Sequence, residues 1–548
     1  MLLGLAANLG GYALLDPDEG RNASVAWEMA ARGEWVVPRL NGLPYVDKPV
    51  LHFAATAASF RLFGFTERAA RLPSLVFTAG TLTVLAWFAG RLLAPGQAWF
   101  AVIATASAPL TLGFARTVIF DATLTFFVVV ALACFFHGIE GAGRRGPSTG
   151  GPWGWTAGAW AAVGLGILTK GPVALALPLM VAAPYAAWRG VSKAVWTPVG
   201  PLVAAAAVMP WLVTVSRDVP DLVAYAVVTE TVERLFTPRL QRTEPVWYFL
   251  PVLVAGALPA SAWVLAAGRR SGVLTRPDGS RDPRAVFLLL WIAAPLIFFS
   301  LSQSKRPQYV LPLVPAVALL AARLWQPRFA PGAQRVGVIL AVVGGTVGLA
   351  PWLVPSVLDV SEGVRSALTP LAMGLGTATV AAGALFWLSR HRGELALIAV
   401  ALPAAVIPLA STALMRQIAR ERSAALLAQA IEPALPPNGR VLAIGTFPLS
   451  LPFYLRRQVL LATDSGRELT SNYLPQRLDV WRSVPGTPLR PAEWWREAAL
   501  SCGISVFVTR ADDAVTRAAL AARLPLLVET TKHAAYGPCG QTMLAGGR

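Results

Sequence analysis

Six short segments of the sequence gather carboxylates and cations in mixtures that could do chemistry. DPDEGR brings Asp16, Asp18, Glu19 and Arg21 together, and YVDKP sets Asp47 beside Lys48. FARTVIFD holds Arg116 and Asp121, LTKGP holds Lys170, ETVERL holds Glu230, Glu233 and Arg234, and SQSKRPQY holds Lys305, Arg306 and Tyr309. Several cations in company fit a phosphate, with arginine as a bidentate fork and lysine as a point charge. Carboxylates beside them are poor phosphate ligands but suit proton abstraction from a second substrate, or its orientation. The chemistry this mixture implies is group transfer from a phospholipid-like donor. The plainer alternative for Asp121 and Lys170 is that they cap helices or reach the boundary from span ends.

What separates these segments is apolar. The chain of 548 residues is 55% hydrophobic and only 14% charged, with 19 Trp and 44 Pro, which excludes an ordinary water-soluble protein and makes it a polytopic membrane protein. The net charge of +18 does not imply nucleic acid. Its basic residues lie in short loops between apolar runs, as membrane topology requires, and form no stripe interleaved with aromatics. Apolar runs near 1–15, 73–94, 97–115, 121–138, 153–168, 173–188, 196–215, 246–267, 285–301, 309–325, 336–356, 368–389 and 395–415 give about thirteen spans. The first is too short for a full crossing, so either it tilts little in a thin region or the true start lies upstream. It has no basic n-region and no small-residue cleavage site after it, so it does not read as a signal peptide.

Arg144/Arg145, Arg189/Lys193, the run Arg269, Arg270, Arg276, Arg281 and Arg284, then Arg323/Arg328/Arg335 and Arg390/His391/Arg392 fall on one side if the spans alternate. That side is the cytoplasm. Residues 16–72, 216–245 and everything after about 416 then face outward, and all six charged segments emerge at outer span ends. Basic residues gathered there run against the inside-positive trend, so a site at the membrane boundary explains them better than orientation does. A transporter or flippase would place ionisable residues near span centres; it stands as one alternative class, and a non-catalytic scaffold as the other.

The tail has another texture. Beyond a linker helix at 416–435, strand-length runs such as RVLAIG, QVLLAT and ISVFVTR alternate with helical stretches such as PAEWWREAAL and DAVTRAALAARL. Residues 436–548 read as an extracytoplasmic α/β domain. An exported domain can hold a disulfide, so Cys502 and Cys539 are either a pair or two buried thiols, whereas Cys134 lies in an apolar span and packs there. Glu28, Arg32 and Glu34 read as the exposed face of an amphipathic helix. His52, His137 and His391 are isolated, and no cluster has metal-ligand spacing. No phosphate-binding glycine loop of the nucleotide type is present, so no nucleotide is expected as energy source.

The stretch DPDEGRNASVAWEMAARGEWVVPRLNGLPYVDKPVLHF, continued by LFGFTERAARLPS and followed by ARTVIFDATLTFF, LTKGP and SKRPQYVLPLVPA, resembles the aminoarabinose transferase and protein O-mannosyltransferase superfamily. The resemblance covers about 1–415 and is closest to the bacterial lipid A aminoarabinose transferase branch. It implies the GT-C fold of integral-membrane glycosyltransferases that use polyprenyl-phosphate sugars. Residues 1–415 would form the membrane domain, with 16–72 as its catalytic outer loop, and the α/β tail suits the same branch.

Residue by residue, Asp18 resembles the essential carboxylate of the first outer loop, with Glu19 as the other half of its acidic pair, and Asp121 resembles the second acidic position. Arg21 and Lys48 resemble the ligands of the carrier-lipid phosphate. Arg234 and Tyr309 are further contacts, Lys170 adds positive potential, and Lys305 joins the same cationic set. Where many members carry Glu-His before the arginine, this chain reads Glu230-Thr231, so no structural zinc and no required cofactor is expected, while a divalent metal stays open. The implied partners are a polyprenyl-phosphate sugar donor, membrane lipids and a lipid, glycan or protein acceptor, at the outer face of the bacterial inner membrane. Attack from the face opposite the phosphate would invert the anomeric centre.

Overall fold

The computed structural model describes residues 2–145, 153–226, 244–267, 278–325, 330–353, 361–389, 394–502 and 504–539. Two compact units divide the chain. One comprises Met1–Leu9 with Arg71–Leu414, and the other Gly10–Ala70 with Met415–Arg548.

The first unit is helical because a bilayer leaves backbone N–H and C=O groups no partner except one another. Among the described residues, seven helices are long and apolar enough to cross: Glu67–Leu92, Phe120–Gly143, Ser192–Asp218, Pro283–Leu301, Pro307–Leu324, Ala333–Trp352 and Glu362–Leu388. The number is nine if two bent pairs, Val246–Gly256 with Ala260–Ala266 and Glu394–Ala410 with Thr412–Arg422, each count as one crossing. Among the described residues, some of the thirteen expected runs form helices shorter or less apolar than these, for local reasons. The run 97–115 breaks into Pro95–Ser107 and Pro109–Phe114, because Ala108 precedes a proline and takes an extended backbone (φ −62°, ψ 132°). The opening run yields only the helix Leu2–Ala6. Val173–Trp188 stops at 16 residues, and Trp153–Lys170 dilutes its apolar residues with glycine, threonine and tryptophan.

Close packing is visible where helices Ala330–Leu353 and Glu362–Leu388 meet. A Cβ at Gly376 would lie 2.6 Å from the Gly344 carbonyl oxygen, so the two backbones approach as small-residue membrane interfaces allow. Two arginines serve structure at this stage. Arg71 donates to Leu9 O (3.0 Å), and Arg116 donates to Leu5 O (2.9 Å) and Ala7 O (2.6 Å), both buried, which fixes the N-terminal residues against the unit.

The second unit combines the first loop with the tail. Strands β1 (Arg39–Leu40) and β2 (Leu43–Pro44) form a small antiparallel hairpin. Its turn is Asn41-Gly42, both at positive φ (56° and 86°), the dipeptide that two-residue hairpins favour. The tail supplies β3 (Val441–Ile444), β4 (Leu460–Ala462), β5 (Leu489–Arg490), β6 (Val506–Arg510), β7 (Leu526–Glu529) and β8 (His533–Tyr536), in the order β5-β4-β3-β6-β8-β7. The strands β5, β4, β3 and β6 run parallel, whereas β8 is antiparallel to β6 and β7. Leu442, Ile444, Phe507, Trp495, Leu520 and Tyr536 share one side of the sheet as its core. Cys502 and Cys539 are joined in a disulfide, Cα to Cα 5.4 Å.

Hydrogen bonds explain why residues 10–70 group with the tail. Asn41 donates to Val459 O (2.6 Å) and accepts from Val459 N (2.9 Å), and Ser24 donates to Leu449 O (2.7 Å). Helix Asp18–Arg32, closed by Gly33 at φ 72°, carries the first acidic motif. Contrary to the amphipathic reading, Glu28 on this helix is buried. It accepts from Gly42 N (3.0 Å) and pairs with Arg32 (2.9 Å), while burial pushes its carboxyl upward.

Candidate functional site

In the second unit, helix Asp18–Arg32 sets Asp18 in its first turn and Arg21 one turn on, on the same face. Arg21 Nη2 donates to Asp18 Oδ1 at 2.7 Å. Its Nη1 donates to Thr470 Oγ1 at 3.0 Å, and the guanidinium lies 5.7 Å from the centre of the Tyr45 ring. Burial works against the Arg21 charge, but Tyr45, Asp18 and Asp47 outweigh it and hold the guanidinium more firmly protonated than usual. The Asp18 side chain keeps 33% exposure, which leaves a carboxylate within reach of a substrate while its partner is fixed.

Asp47 and Lys48 follow Tyr45 in the loop after β2. The buried Asp47 carboxylate accepts from Asn472 N (2.8 Å), Tyr473 N (3.2 Å) and Ser471 Oγ (3.2 Å), so it anchors the turn. Lys48 Nζ donates to the Asp47 carbonyl oxygen.

Glu19, expected beside Asp18 as a catalytic carboxylate, points elsewhere. It is buried, and its Oε2 accepts from Leu15 N (3.1 Å), closing the turn ahead of its own helix. Asp16, named with the DPDEGR carboxylates but given no role from the sequence, is held by the tail. Its Oδ2 accepts from Ser450 Oγ (3.0 Å), and its Oδ1 is buried with no hydrogen-bond partner. Burial pushes the Asp16 carboxyl up to about 7, against the lowering effects of Ser450, Lys532 and Arg21.

The first unit holds another cluster. Asp121 stands in the first turn of helix Phe120–Arg145, where the positive end of the helix dipole favours an anion, and Lys170 ends helix Trp153–Lys170, where the negative end favours a cation. The two form a buried ion pair, Lys170 Nζ to Asp121 Oδ1. Lys170 Nζ also lies 4.9 Å from the centre of the Tyr309 ring, within cation–π range. Tyr309 itself is held between Phe249 and Phe299, at 6.2 and 5.4 Å between ring centres. Favourable placement at helix ends and ion pairing thus coincide in the same two residues.

Lys305, grouped by sequence with the phosphate cations, is buried and donates to Ser302 O in its own loop (2.6 Å), with burial lowering its affinity for a proton. Arg234, together with Glu230 and Glu233, lies outside the described residues. Among the described residues no group of three or more His, Cys, Asp or Glu side chains could hold a metal ion.

The structure therefore brings Asp18 to Arg21, and Asp121 to Lys170 and Tyr309, while Glu19 and Lys305 turn to their own backbone. Sequence reasoning missed Tyr45, Thr470 and Ser471. An aromatic two residues before Asp47 in PYVDKP was a usable signal for Tyr45, but the polar stretch LTSNY offered none for the other two.

Comparison with known proteins adds the context. The model of the dolichyl-phosphate-mannose-protein mannosyltransferase family matches residues 47–214. The undecaprenyl phosphate-alpha-4-amino-4-deoxy-L-arabinose arabinosyl transferase of Erwinia tasmaniensis is 30% identical over 399 residues, which span 68% of this chain and 69% of that protein. The protein of the same name from Serratia proteamaculans is 33% identical over 349 residues, which span 62% of this chain and 60% of its own length. Among solved structures, ArnT from Cupriavidus metallidurans bound to undecaprenyl phosphate superimposes with a TM-score of 0.81 at 26% identity, covering 100% of this chain and 98% of that one. Its apo form gives a TM-score of 0.80.

Proposed function

The chain belongs to the undecaprenyl phosphate aminoarabinose arabinosyl transferase family of multi-pass inner-membrane glycosyltransferases, and from that premise we propose that it transfers a sugar from undecaprenyl phosphate to a lipid A-like lipid at the extracytoplasmic face. The observation that carries this reading is the first-turn pair Asp18 and Arg21 with Tyr45 against the guanidinium, one acid left reachable beside one fixed cation.

The roles follow from charge. As the bond between the anomeric carbon and the phosphate oxygen breaks, negative charge grows on the departing undecaprenyl phosphate. Arg21 and Lys48 stabilise that oxygen charge, and stabilisation of developing charge by fixed groups accelerates the step. The acceptor oxygen forms the new bond at the same carbon from the opposite face, inverting it. If the acceptor is a hydroxyl, its proton passes to Asp18; if it is a phosphate, already largely ionised at neutral pH with a second pKa of about 6, Asp18 orients a substrate instead. By the family resemblance, Asp121 takes the role of a second acidic residue and Lys170 that of a source of positive potential. A protein or glycan acceptor remains within the same chemistry.

The test is release of undecaprenyl phosphate from a panel of undecaprenyl-phosphate sugars by the purified protein, with lipid A, glycan and protein acceptors supplied separately. Turnover with one donor and lipid A, lost in Asp18→Asn and Lys48→Ala, is the expected result. A folded sample that cleaves no donor with any acceptor would overturn the proposal in favour of a transporter or scaffold.

A further inference from the structure

We propose that residues Thr470–Tyr473, in the segment that follows β4, are a positioning element that sets Arg21 and Lys48 for the donor phosphate, which makes the α/β tail a working part of the transferase. The inference rests on the reading of Arg21 and Lys48 as phosphate ligands and adds what holds them.

Carboxyl ends of parallel strands are where α/β sheets ordinarily bind ligands, above all at the switch point between strands whose connections leave in opposite directions. Here β3 has β4 on one side and β6 on the other, so that point lies at the carboxyl end of β3. The segments following β3 and β4 are occupied by the chain's own first loop. After β3, Leu449 O accepts from Ser24 and Ser450 Oγ donates to Asp16. After β4, four consecutive residues attend to the cationic motifs.

Each of those residues has a defined part. Thr470 accepts from Arg21 Nη1 at 3.0 Å, so together with Asp18 Oδ1 it fixes the plane of the guanidinium from a second direction. Thr470 does so from the left-handed region, at φ 51° and ψ 27°. A β-branched residue there is strained and persists only where its surroundings over-determine it. Ser471 Oγ accepts from Tyr473 N (3.1 Å) and Leu474 N (3.2 Å), which leaves its one hydroxyl proton for Asp47. Asn472 and Tyr473 add their backbone N–H groups to the same carboxylate. Asp47 is buried and so held, which makes it an anchor for the peptide that carries Lys48.

The experiment measures affinity for undecaprenyl phosphate, and for undecaprenol as the same chain without its phosphate, using the full-length protein and Thr470→Val, Thr470→Ser, Ser471→Ala and Arg21→Ala. Thr470→Val and Ser471→Ala are expected to weaken undecaprenyl phosphate roughly tenfold, the scale of a lost hydrogen bond to a charged group. Undecaprenol affinity stays at the parental value, and Thr470→Ser, which keeps the hydroxyl, recovers the phosphate affinity. Unchanged phosphate affinity in Thr470→Val and Ser471→Ala, with Arg21→Ala impaired, overturns the positioning role alone. Equal weakening of both ligands overturns it as well, because a merely structural loss would not discriminate the phosphate. An Arg21→Ala variant that binds undecaprenyl phosphate like the parent removes the underlying reading and this inference with it.

Discussion

Asp16 accepts a hydrogen bond from Ser450, Oγ to Oδ2 at 3.0 Å, joining residues 434 positions apart. Ser450 Oγ in turn accepts from Ala424 N (2.9 Å), and Asp16 N donates to Arg422 O (2.7 Å). The start of the first loop is thereby stitched into the unit that contains the sheet.

A pH dependence follows, with a definite sign. Burial raises the Asp16 carboxyl from 3.8 to about 7, so the folded protein holds this proton more tightly than the unfolded chain. Such a group contributes stability that is fully present below about 3.8 and is lost as pH rises through about 7. The thermal midpoint of the purified protein is expected to fall between about pH 4 and pH 7 through this residue. Asp16→Asn, which cannot ionise, is expected to flatten that part of the profile and to melt higher than the parent at pH 8. Parallel profiles for the two proteins would refute the assignment.

The pair of Asp121 and Lys170 makes a different prediction. With the carboxylate almost fully covered, removing one partner strands the other charge, a loss of roughly 3–5 kcal/mol for a buried pair. Asp121→Asn and Lys170→Met should each melt well below the parent, while the double variant recovers much of the loss because no lone charge remains. Activity should not return with stability, since the proposed roles of both groups are gone. A double variant no more stable than the worse single one would show that the pair is not coupled in this way.

Much of this was legible in the chain because it is local. Asp18 and Arg21 are one helical turn apart, so the spacing alone places them on one face. Lys48 stands beside an acid and before a proline in a short loop, and the tail alternates strand and helix patterns plainly. What escaped was direction and distance. Nothing in DPDEGR distinguishes Asp18, which stays reachable, from Glu19, which folds back to Leu15 N, because the choice depends on the turn ahead of the helix. Lys305 likewise turns to Ser302 O, a preference that a polar loop sequence does not advertise. The partners Thr470 and Ser471 lie more than 400 positions from Arg21 and Asp47, and only the folded sheet brings them there. The run 97–115 read as one apolar stretch, whereas the proline after Ala108 divides it into two helices.

The disulfide between Cys502 and Cys539 closes a loop of 37 residues in sequence separation, for which the chain-entropy model gives about 4 kcal/mol. Reduction, or Cys502→Ser with Cys539→Ser, should lower the resistance of the α/β tail to limited proteolysis while the membrane helices stay intact. Cleavage within 440–539 at the same protease concentration before and after reduction would mean that the bridge adds little.

The size of the Asp18→Asn defect identifies the acceptor chemistry. If Asp18 takes a proton from an acceptor hydroxyl, its loss removes the base, and such losses are typically on the order of 10²–10⁴-fold in rate. An acceptor phosphate brings no proton that must leave, so the same variant should lose far less in kcat, and the remaining effect should appear in KM. One complication is the hydrogen bond from Arg21 to Asp18 Oδ1 at 2.7 Å, since an asparagine there removes a charge that steadies the guanidinium. Asn keeps an acceptor oxygen for that bond, so the donor KM reports the disturbance to Arg21 and the acceptor-dependent kcat reports the base. Measuring both constants with lipid A and with a hydroxyl acceptor separates the two effects. A kcat loss above about 10² with lipid A would overturn the orienting role proposed for Asp18 with a phosphate acceptor.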